Sequence, residues 1–377
     1  MKILVNCFYY YPENTPRAFR AEEITKALSR MGHEVTVTIP DNGFDYSGFE
    51  KLYNLKIVKI KGHINYKNRV VKKEGHLNDK NNIVIVKKLS NLIKKKIIRY
   101  FTGEGKNILY SIPLYKKLKN STFNYDYLIS IGLPFAIHLG SSLGKKVNPR
   151  ISSRMLADYG DPFYLNYNVK LAYYFKIIEK KCMKYFDKII IPTNKSLESY
   201  LHLKSKENIL IIPQGLNYNG MKLAKFKKNN IPTFAYAGMI YKNIRYPINF
   251  FEYISSLKKE FKFIIYTDIN NIIFKELIDK YKEKLGDRLV VKDKIGRYEC
   301  IYELSKMDFI VNFANVNSNQ EPSKIIDYIL TKRPIFTLDQ KEFDKDKFNE
   351  FLQGQYVSTE INIEEYNIDN LMMKIFI

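Results

Sequence analysis

The chain has 377 residues, 45% of them hydrophobic, and a formal charge of +23. That length exceeds one ordinary core and predicts two domains, while no apolar run reaches the ~18 residues of a membrane span. Three scattered cysteines, Cys7, Cys182 and Cys300, form neither a disulfide framework nor a metal pattern, so a reduced, cytoplasmic protein is expected.

Ile3 to Phe8 reads as a strand buried on both faces, too short and too soon polar for a signal peptide. Thr15 and Pro16 supply a cap and a first helical residue. The helix carries Phe19, Ile24, Ala27, Leu28 and Met31 as apolar positions, and Gly32 ends it. Glu34 to Ile39 is the next strand, completing a parallel βαβ unit. Leu55 to Ile60 predicts a further strand. Residues 61 to 120 then hold 16 Lys/Arg and 3 Asp/Glu, +13 of the +23, too concentrated for a uniform compositional bias. Within residues 87 to 101, Leu89, Leu92, Ile93, Ile97 and Tyr100 recur at helical spacing, with Lys94, Lys95 and Arg99 on the other side. Such a helix either docks reversibly on an anionic membrane surface or packs its stripe on the core. Nucleic acid is not expected, because neither aromatic interleaving nor a binding module accompanies the charge.

Regular α/β order returns with a strand at Tyr127 to Ile131, a helix over 135 to 144 and a strand at Ile151 to Leu156. A long helix over about 168 to 185, a strand at Lys188 to Pro192, a short helix near 195 to 202 and a strand at Ile209 to Pro213 close a first domain of residues 1–213. The polar stretch 214–230 reads as a linker. Residues 231–377 alternate cleanly, with strands at 234–237, 261–266, 288–291, 308–313 and 335–338. Helices over 247–259, 272–284, 297–306 and 322–331 separate them. Both halves predict doubly wound α/β domains, whose ligands bind beyond the carboxyl ends of the strands.

The most informative stretch is Asn319 to Pro334. A strand ending at Phe313 runs through a polar loop into Glu321 and Pro322, which start a helix. Free backbone N–H groups there favour an anion. Lys324 adds a full charge, and Asp327, one turn further in, suits sugar hydroxyls. A second loop follows the first strand of this domain: Gly238 permits close backbone approach, and Lys242 or Arg245 can neutralise a diphosphate. In the first half, Arg17 and Arg20 lie in the first turns of the first helix. His138 follows Gly132-Leu133-Pro134, and Asp158 and Asp161 flank Gly160.

The string Pro322-Ser323-Lys324-Ile325-Ile326-Asp327-Tyr328 resembles the donor site of family-4 retaining glycosyltransferases of the GT-B fold. So do Leu133 to Leu139 and Ala157 to Phe163 for that family's first domain. Aligned on Pro334, the family's two donor-site Glu residues fall on Asn319 and Asp327. The resemblance implies two Rossmann-like domains facing each other across a cleft, and a last helix that crosses back to the first domain. It implies transfer of a hexose from a UDP-sugar to a saccharide or lipid-linked acceptor in surface polysaccharide synthesis, with no metal and no cofactor. Asp327 would hold the ribose, and Ser323, Lys324 and Arg245 the diphosphate. Asn319 and Glu321 would lie near the sugar. Asp158, Asp161 and His138 would help at the reacting centre, with Arg17 and Arg20 on the acceptor side. Peripheral attachment at the inner face of the plasma membrane would suit such an acceptor.

Two alternatives remain open: a catalytically silent GT-B protein that binds a glycan or partner, and a basic membrane-surface adaptor. Other schemes find little support. Gly140-Ser141-Ser142-Leu143-Gly144 matches a nucleophile elbow in spelling, but a helix precedes it, so it reads as a helix end. Asp344-Lys345-Asp346 has no strand directly before it and reads as solvent-facing. No Gly-x-Gly-x-x-Gly follows the first strand, which argues against a dinucleotide oxidoreductase.

Overall fold

The computed structural model describes residues 1–62, 97–166, 169–242, 245–315, 324–339, 343–356 and 362–376. The chain divides into two compact units, Met1–Asn217 with Ile368–Ile377, and Tyr218–Asn367. Among the described residues the first unit holds a seven-stranded parallel sheet in the order β3-β2-β1-β4-β5-β6-β7. Its strands are β1 (Lys2–Asn6), β2 (Glu34–Pro40), β3 (Leu55–Ile60), β4 (Tyr125–Ile131), β5 (Ser152–Asp158), β6 (Lys188–Ile191) and β7 (Ile209–Ile211).

Helix α1 (Pro16–Arg30) starts as its sequence dictates. Thr15 is extended, its hydroxyl accepts from the Ala18 N–H, and Pro16 occupies the first turn. Three further helices of this unit are α2 (Ser47–Tyr53), α3 (Ser111–Lys119) and α4 (Ala136–Val147). The Gly-x-Ser-x-Gly string lies inside α4 and is not the helix end expected from sequence. A Cβ on Gly144 would come within 2.6 Å of Leu118, and one on Gly140 within 2.9 Å of the Ser111 carbonyl. The two glycines therefore let α3 and α4 touch backbone to side chain. Ser141 between them accepts from the Asn6 amide at 2.9 Å.

Helix α5 (Tyr174–Met183) begins six residues later than predicted. The Ala172 N–H donates to the Tyr100 carbonyl at 3.0 Å, a tertiary partner that replaces a helical one. Leu171, Ala172 and Phe175 bury themselves in a small cluster there. Of the amphipathic segment 87–101, Leu89, Leu92, Ile93, Lys94 and Lys95 lie outside the described residues, and residues 97–102 are helical. No helix among the described residues is long and apolar enough to cross a membrane.

The second unit has five parallel strands in the order β10-β9-β8-β11-β12. They are β8 (Thr233–Ala237), β9 (Lys262–Thr267), β10 (Leu289–Asp293), β11 (Phe309–Phe313) and β12 (Ile335–Leu338). The intervening helices are α6 (Ile248–Ser256), α7 (Ile272–Leu285), α8 (Arg297–Leu304) and α9 (Lys324–Leu330). The core on one face is aromatic: the Phe234 ring stacks on Phe263 and on Phe309, each at 4.8 Å. Helix α10 (Lys345–Leu352) buries Phe348, Phe351 and Leu352 on it. Asp344 caps α10 by accepting from the Lys347 N–H at 2.9 Å. The Asp-Lys-Asp string is thus a helix start.

The polar stretch 214–230 is not a free-standing linker. The Asn217 N–H donates to Glu23 within the first unit. In the second unit the Ala224 N–H donates to Ser305, and the Phe226 ring lies under Arg333 at 3.8 Å. The last residues also depart from the expected boundary at 377. Helix α11 (Ile368–Met373) belongs to the first unit, where Ile368, Leu371, Met372 and Ile375 share a core with Ile24 and Leu28. Asp369 pairs with Arg30 at 2.5 Å. Apolar burial explains the location, since these side chains complete the first core. Leu371→Ala is expected to lower the stability of the first unit by ~2–5 kcal/mol, read as a lower midpoint of that unit's transition in urea unfolding. An unmoved transition would mean that the segment does not contribute to that core.

Candidate functional site

In the first sheet the strand order reverses between β1 and β4, so ligands are expected near the carboxyl ends of those strands. Arg17 and Arg20, one turn apart on α1, both point there and both close on Asp158 at the end of β5. Arg17 Nη2 is 2.7 Å from Asp158 Oδ1, and Arg20 Nη2 is 2.7 Å from Oδ2. Further donors of both arginines reach backbone carbonyls. Arg17 Nε donates to the Gly132 carbonyl at 2.9 Å, and Arg20 donates to the Ile212 and Pro213 carbonyls. Asp158 is fully buried. Burial alone would raise its carboxyl pKa, but Arg20 and then Arg17 hold it below the usual carboxylate range. These three residues were expected to meet acceptor or sugar. They instead tie α1 to β5 and to the chain leaving β7, because a buried carboxylate needs its cations.

His138 is also buried. Its Nδ1 lies 2.8 Å from the Ser130 hydroxyl, while Nε2 has no hydrogen-bond partner and sits against Gly132, where a Cβ would come within 2.3 Å. Burial, then the charge of Arg17, lowers its pKa to about 3. The imidazole is therefore neutral at physiological pH and cannot act as an acid from its charged form. Asp161, by contrast, is exposed. It lines a recess of about 40 Å³ with His138, Tyr159, Gly160, Leu133 and Glu104. That volume suits a water, not a sugar ring.

Glu104 went unnoticed in the sequence because it sits in the basic run without a motif. Its carboxylate accepts from the Phe135 and Ala136 N–H groups at the start of α4, at 2.5 and 3.2 Å. Burial pushes it up to about 7, against the lowering effect of those bonds. Glu179, buried and accepting from the Tyr159 hydroxyl and the Tyr164 N–H, is likewise raised by burial to about 7.

The second sheet reverses between β8 and β11. These two strands pair only at Phe309 with Phe234 and Ile310 with Ala235. Beyond that point the Tyr328 hydroxyl takes over, accepting from the Ala237 N–H at 3.0 Å and donating to the Ala237 carbonyl at 2.8 Å. Helix α9 is thereby pinned to the end of β8. Arg245 sits in the same opening. Its Nη2 donates to Asn315 Oδ1 at 2.7 Å, and its Nη1 to the Tyr236 hydroxyl at 3.2 Å. Gly238 leaves room for that hydroxyl, since a Cβ there would lie 2.7 Å from it. Lys242 is exposed on the same loop.

Lys324 and Asp327 are brought together on α9. Lys324 Nζ lies 3.1 Å from Asp327 Oδ2, and Arg297 at the start of α8 lies 2.7 Å from Oδ1. Asp327 is 3% exposed. Burial pushes its pKa up, but Arg297, and then Lys324, more than offset this and hold it low. The expected ribose ligand is thus buried, with both oxygens engaged. Arg297 was missed, because nothing in its spacing marks it. Asn319, Glu321 and Ser323 lie outside the described residues. Among the described residues no group of three or more His, Cys, Asp or Glu could hold a metal ion.

The two raised carboxyls give a pH dependence of defined sign. Their folded pKa values, about 7, exceed the ordinary Glu value. Folding therefore binds protons, and the stability they contribute is whole below about pH 4.3 and lost as pH rises through about 7. Urea unfolding across this range should show the first unit weakening with pH. Glu179→Gln should remove part of the slope, and the double variant with Glu104→Gln most of it. An unchanged slope in the double variant would contradict the assignment.

No family model matches the chain, and no curated protein matches it by sequence. Solved structures do match. The apo lipopolysaccharide outer core galactosyltransferase WaaB aligns with a TM-score of 0.58 at 11% identity, covering 99% of this chain and 95% of that one. A glycosyltransferase from Rickettsia africae gives 0.62 at 13% identity, over 100% and 96%. Anabaena Alr3699/HepE, solved in complex with UDP and glucose, gives 0.58 at 8% identity, over 100% and 98%. At such identities the likeness is one of fold, and the fold is GT-B: two Rossmann-like α/β domains in one chain.

Proposed function

We propose that the protein is a glycosyltransferase that takes a hexose from a UDP-sugar and passes it to a saccharide or lipid-linked acceptor in surface polysaccharide synthesis. One observation carries the reading. At the reversal point of the second sheet, Arg297 and Lys324 pair with the single carboxylate of Asp327, and Arg245 is held in the same opening by Asn315 and Tyr236. Asp327 cancels the charge of one of its two cations, and Arg245 adds another. Among the described residues the partners of Arg245 are neutral, an amide and a phenol. The surplus of two positive charges matches a diphosphate. The solved neighbours add support, since Anabaena Alr3699/HepE was crystallised with UDP.

The chemistry follows from that charge. Breaking the bond between the anomeric carbon and the terminal phosphate oxygen leaves negative charge on the diphosphate. Arg245 and Lys324, held in place before the reaction, stabilise that charge without a metal. Retention of configuration needs no dedicated side-chain base if the leaving phosphate accepts the acceptor's proton. Asp327 acts as a positioning group that aims Lys324. Lys242 and Gly238 complete the proposed donor site among the described residues; Ser323, Asn319 and Glu321, which the family resemblance implies there, lie outside them. On the acceptor side Asp161 is the proposed contact, with Asp158, Arg17 and Arg20 shaping the strand ends behind it. A lipid-linked acceptor would place the protein at the inner face of the plasma membrane. The burial of Asp327 also fits a second reading, a nucleotide-binding GT-B protein without transfer activity.

Calorimetry with UDP tests the donor site. Arg245→Ala and Lys324→Ala should each weaken binding by ~1.5–3 kcal/mol, the value of a hydrogen bond to a charged group, or roughly ten- to hundred-fold. Unchanged affinity in both would remove the diphosphate from this place. Release of UDP from UDP-sugars in the presence of acceptor separates transfer from silent binding.

A further inference from the structure

Asp327 joins the starts of two helices. Arg297 is the first residue of α8 and Lys324 the first of α9. Arg297 spends two donors on one oxygen: its Nη2 and its Nε each lie 2.7 Å from Asp327 Oδ1. Lys324 spends one, with Nζ 3.1 Å from Oδ2. The two cations also differ in exposure. The Arg297 side chain is 7% exposed, that of Lys324 34%. A cation at the start of α8 runs against the helix dipole, and a buried guanidinium needs a carboxylate. Asp327 meets both needs.

Burial pushes the Asp327 pKa up, and Arg297, ahead of Lys324, holds it low. Arg297 is therefore the stronger counter-ion. A carboxylate engaged in this way leaves most of the Lys324 charge uncancelled. An ammonium has three donors, and among the described residues Asp327 takes one of them. Arg245 acts in the same neighbourhood. Burial raises the pKa of the Tyr236 hydroxyl, and Arg245 and, more weakly, Lys324 lower it. Without the charge of Arg297, Asp327 would have Lys324 as its one cation among the described residues. The charge offered to an anion in the opening would then fall.

We propose that Arg297 is a positioning residue for the donor diphosphate: by holding Asp327, it leaves the charge of Lys324 free to meet phosphate. Asp327 is then a counter-ion and not a ribose contact, which departs from the role its place in the sequence implies. Arg297 acts through Asp327 and Lys324 and does not touch the ligand. The inference rests on the donor site proposed above and adds a residue that no motif marks. Its arithmetic is simple. Arg297, Lys324 and Asp327 together carry one net positive charge. Removing Arg297 takes that to zero, removing Asp327 raises it to two, and removing both restores one.

Calorimetry with UDP and with inorganic pyrophosphate tests it, because pyrophosphate offers the diphosphate charge without a ribose. Arg297→Gln should weaken both ligands by roughly ten-fold. Asp327→Asn should tighten pyrophosphate by roughly three-fold or more. The double variant should bind both ligands within about three-fold of the wild type, a rescue that loss of structure alone would not give. The melting temperature controls for folding, and the single variants predict opposite signs, so either decides if the other unfolds. A double variant as weak as Arg297→Gln would overturn the proposal, as would affinities indifferent to both single changes. Weaker UDP with unchanged pyrophosphate in Asp327→Asn would also overturn it, since that is the mark of a ribose contact. A wild-type protein that binds neither ligand would remove the donor site itself, and the positioning role with it.

Discussion

A carboxylate removed from water must be matched by positive charge, and in the second unit that requirement holds cations at the reversal point of the sheet. Asp327 is buried and takes Arg297 on one oxygen and Lys324 on the other. Arg297 is nearly as buried as Asp327, so that pair is close to self-contained. The side chain of Lys324 is 34% exposed and carries its charge outward. Arg245 is steered by an amide and a phenol that orient it without cancelling it. Two cations are thereby fixed where β8 and β11 part, with the cost of holding them together met by folding. Preorganised charge of this kind acts on an anion without rearrangement.

The first unit uses the same element of design for a different end. Asp158 takes Arg17 and Arg20, and both arginines also donate to backbone carbonyls. The cluster is a tie between α1, β5 and the end of β7. The exposed polar group near it is Asp161. Close backbone approach supports the arrangement: a Cβ on Gly160 would lie 2.8 Å from the Arg17 guanidinium, and Gly132 yields space to His138. Glycines in this loop set serve side-chain packing.

The alternation of strands and helices was legible almost throughout, because apolar runs of β-sheet length and caps such as Thr15–Pro16 are local signals. The places of Arg245, in the loop after β8, and of Lys324, in the first turn of α9, were legible for the same reason. What the sequence concealed is pairing at distance. Asp158 meets Arg20 across 138 residues, and Asp327 meets Arg297 across 30. Each carboxylate therefore read as available when the fold had already engaged it. The Gly-x-Ser-x-Gly string misled for a related reason, since helix–helix contact between α3 and α4 uses the glycines. The last helix joined the first core through Leu371 and Met372, a choice set by which surface was left apolar.

The central claim is that a diphosphate is held between Arg245 and Lys324. A crystal structure of the protein with UDP tests it most directly. The account predicts phosphate oxygens within hydrogen-bonding distance of both the Arg245 guanidinium and the Lys324 ammonium, with Asp327 still paired to Arg297. UDP bound with its phosphates remote from both cations would contradict it.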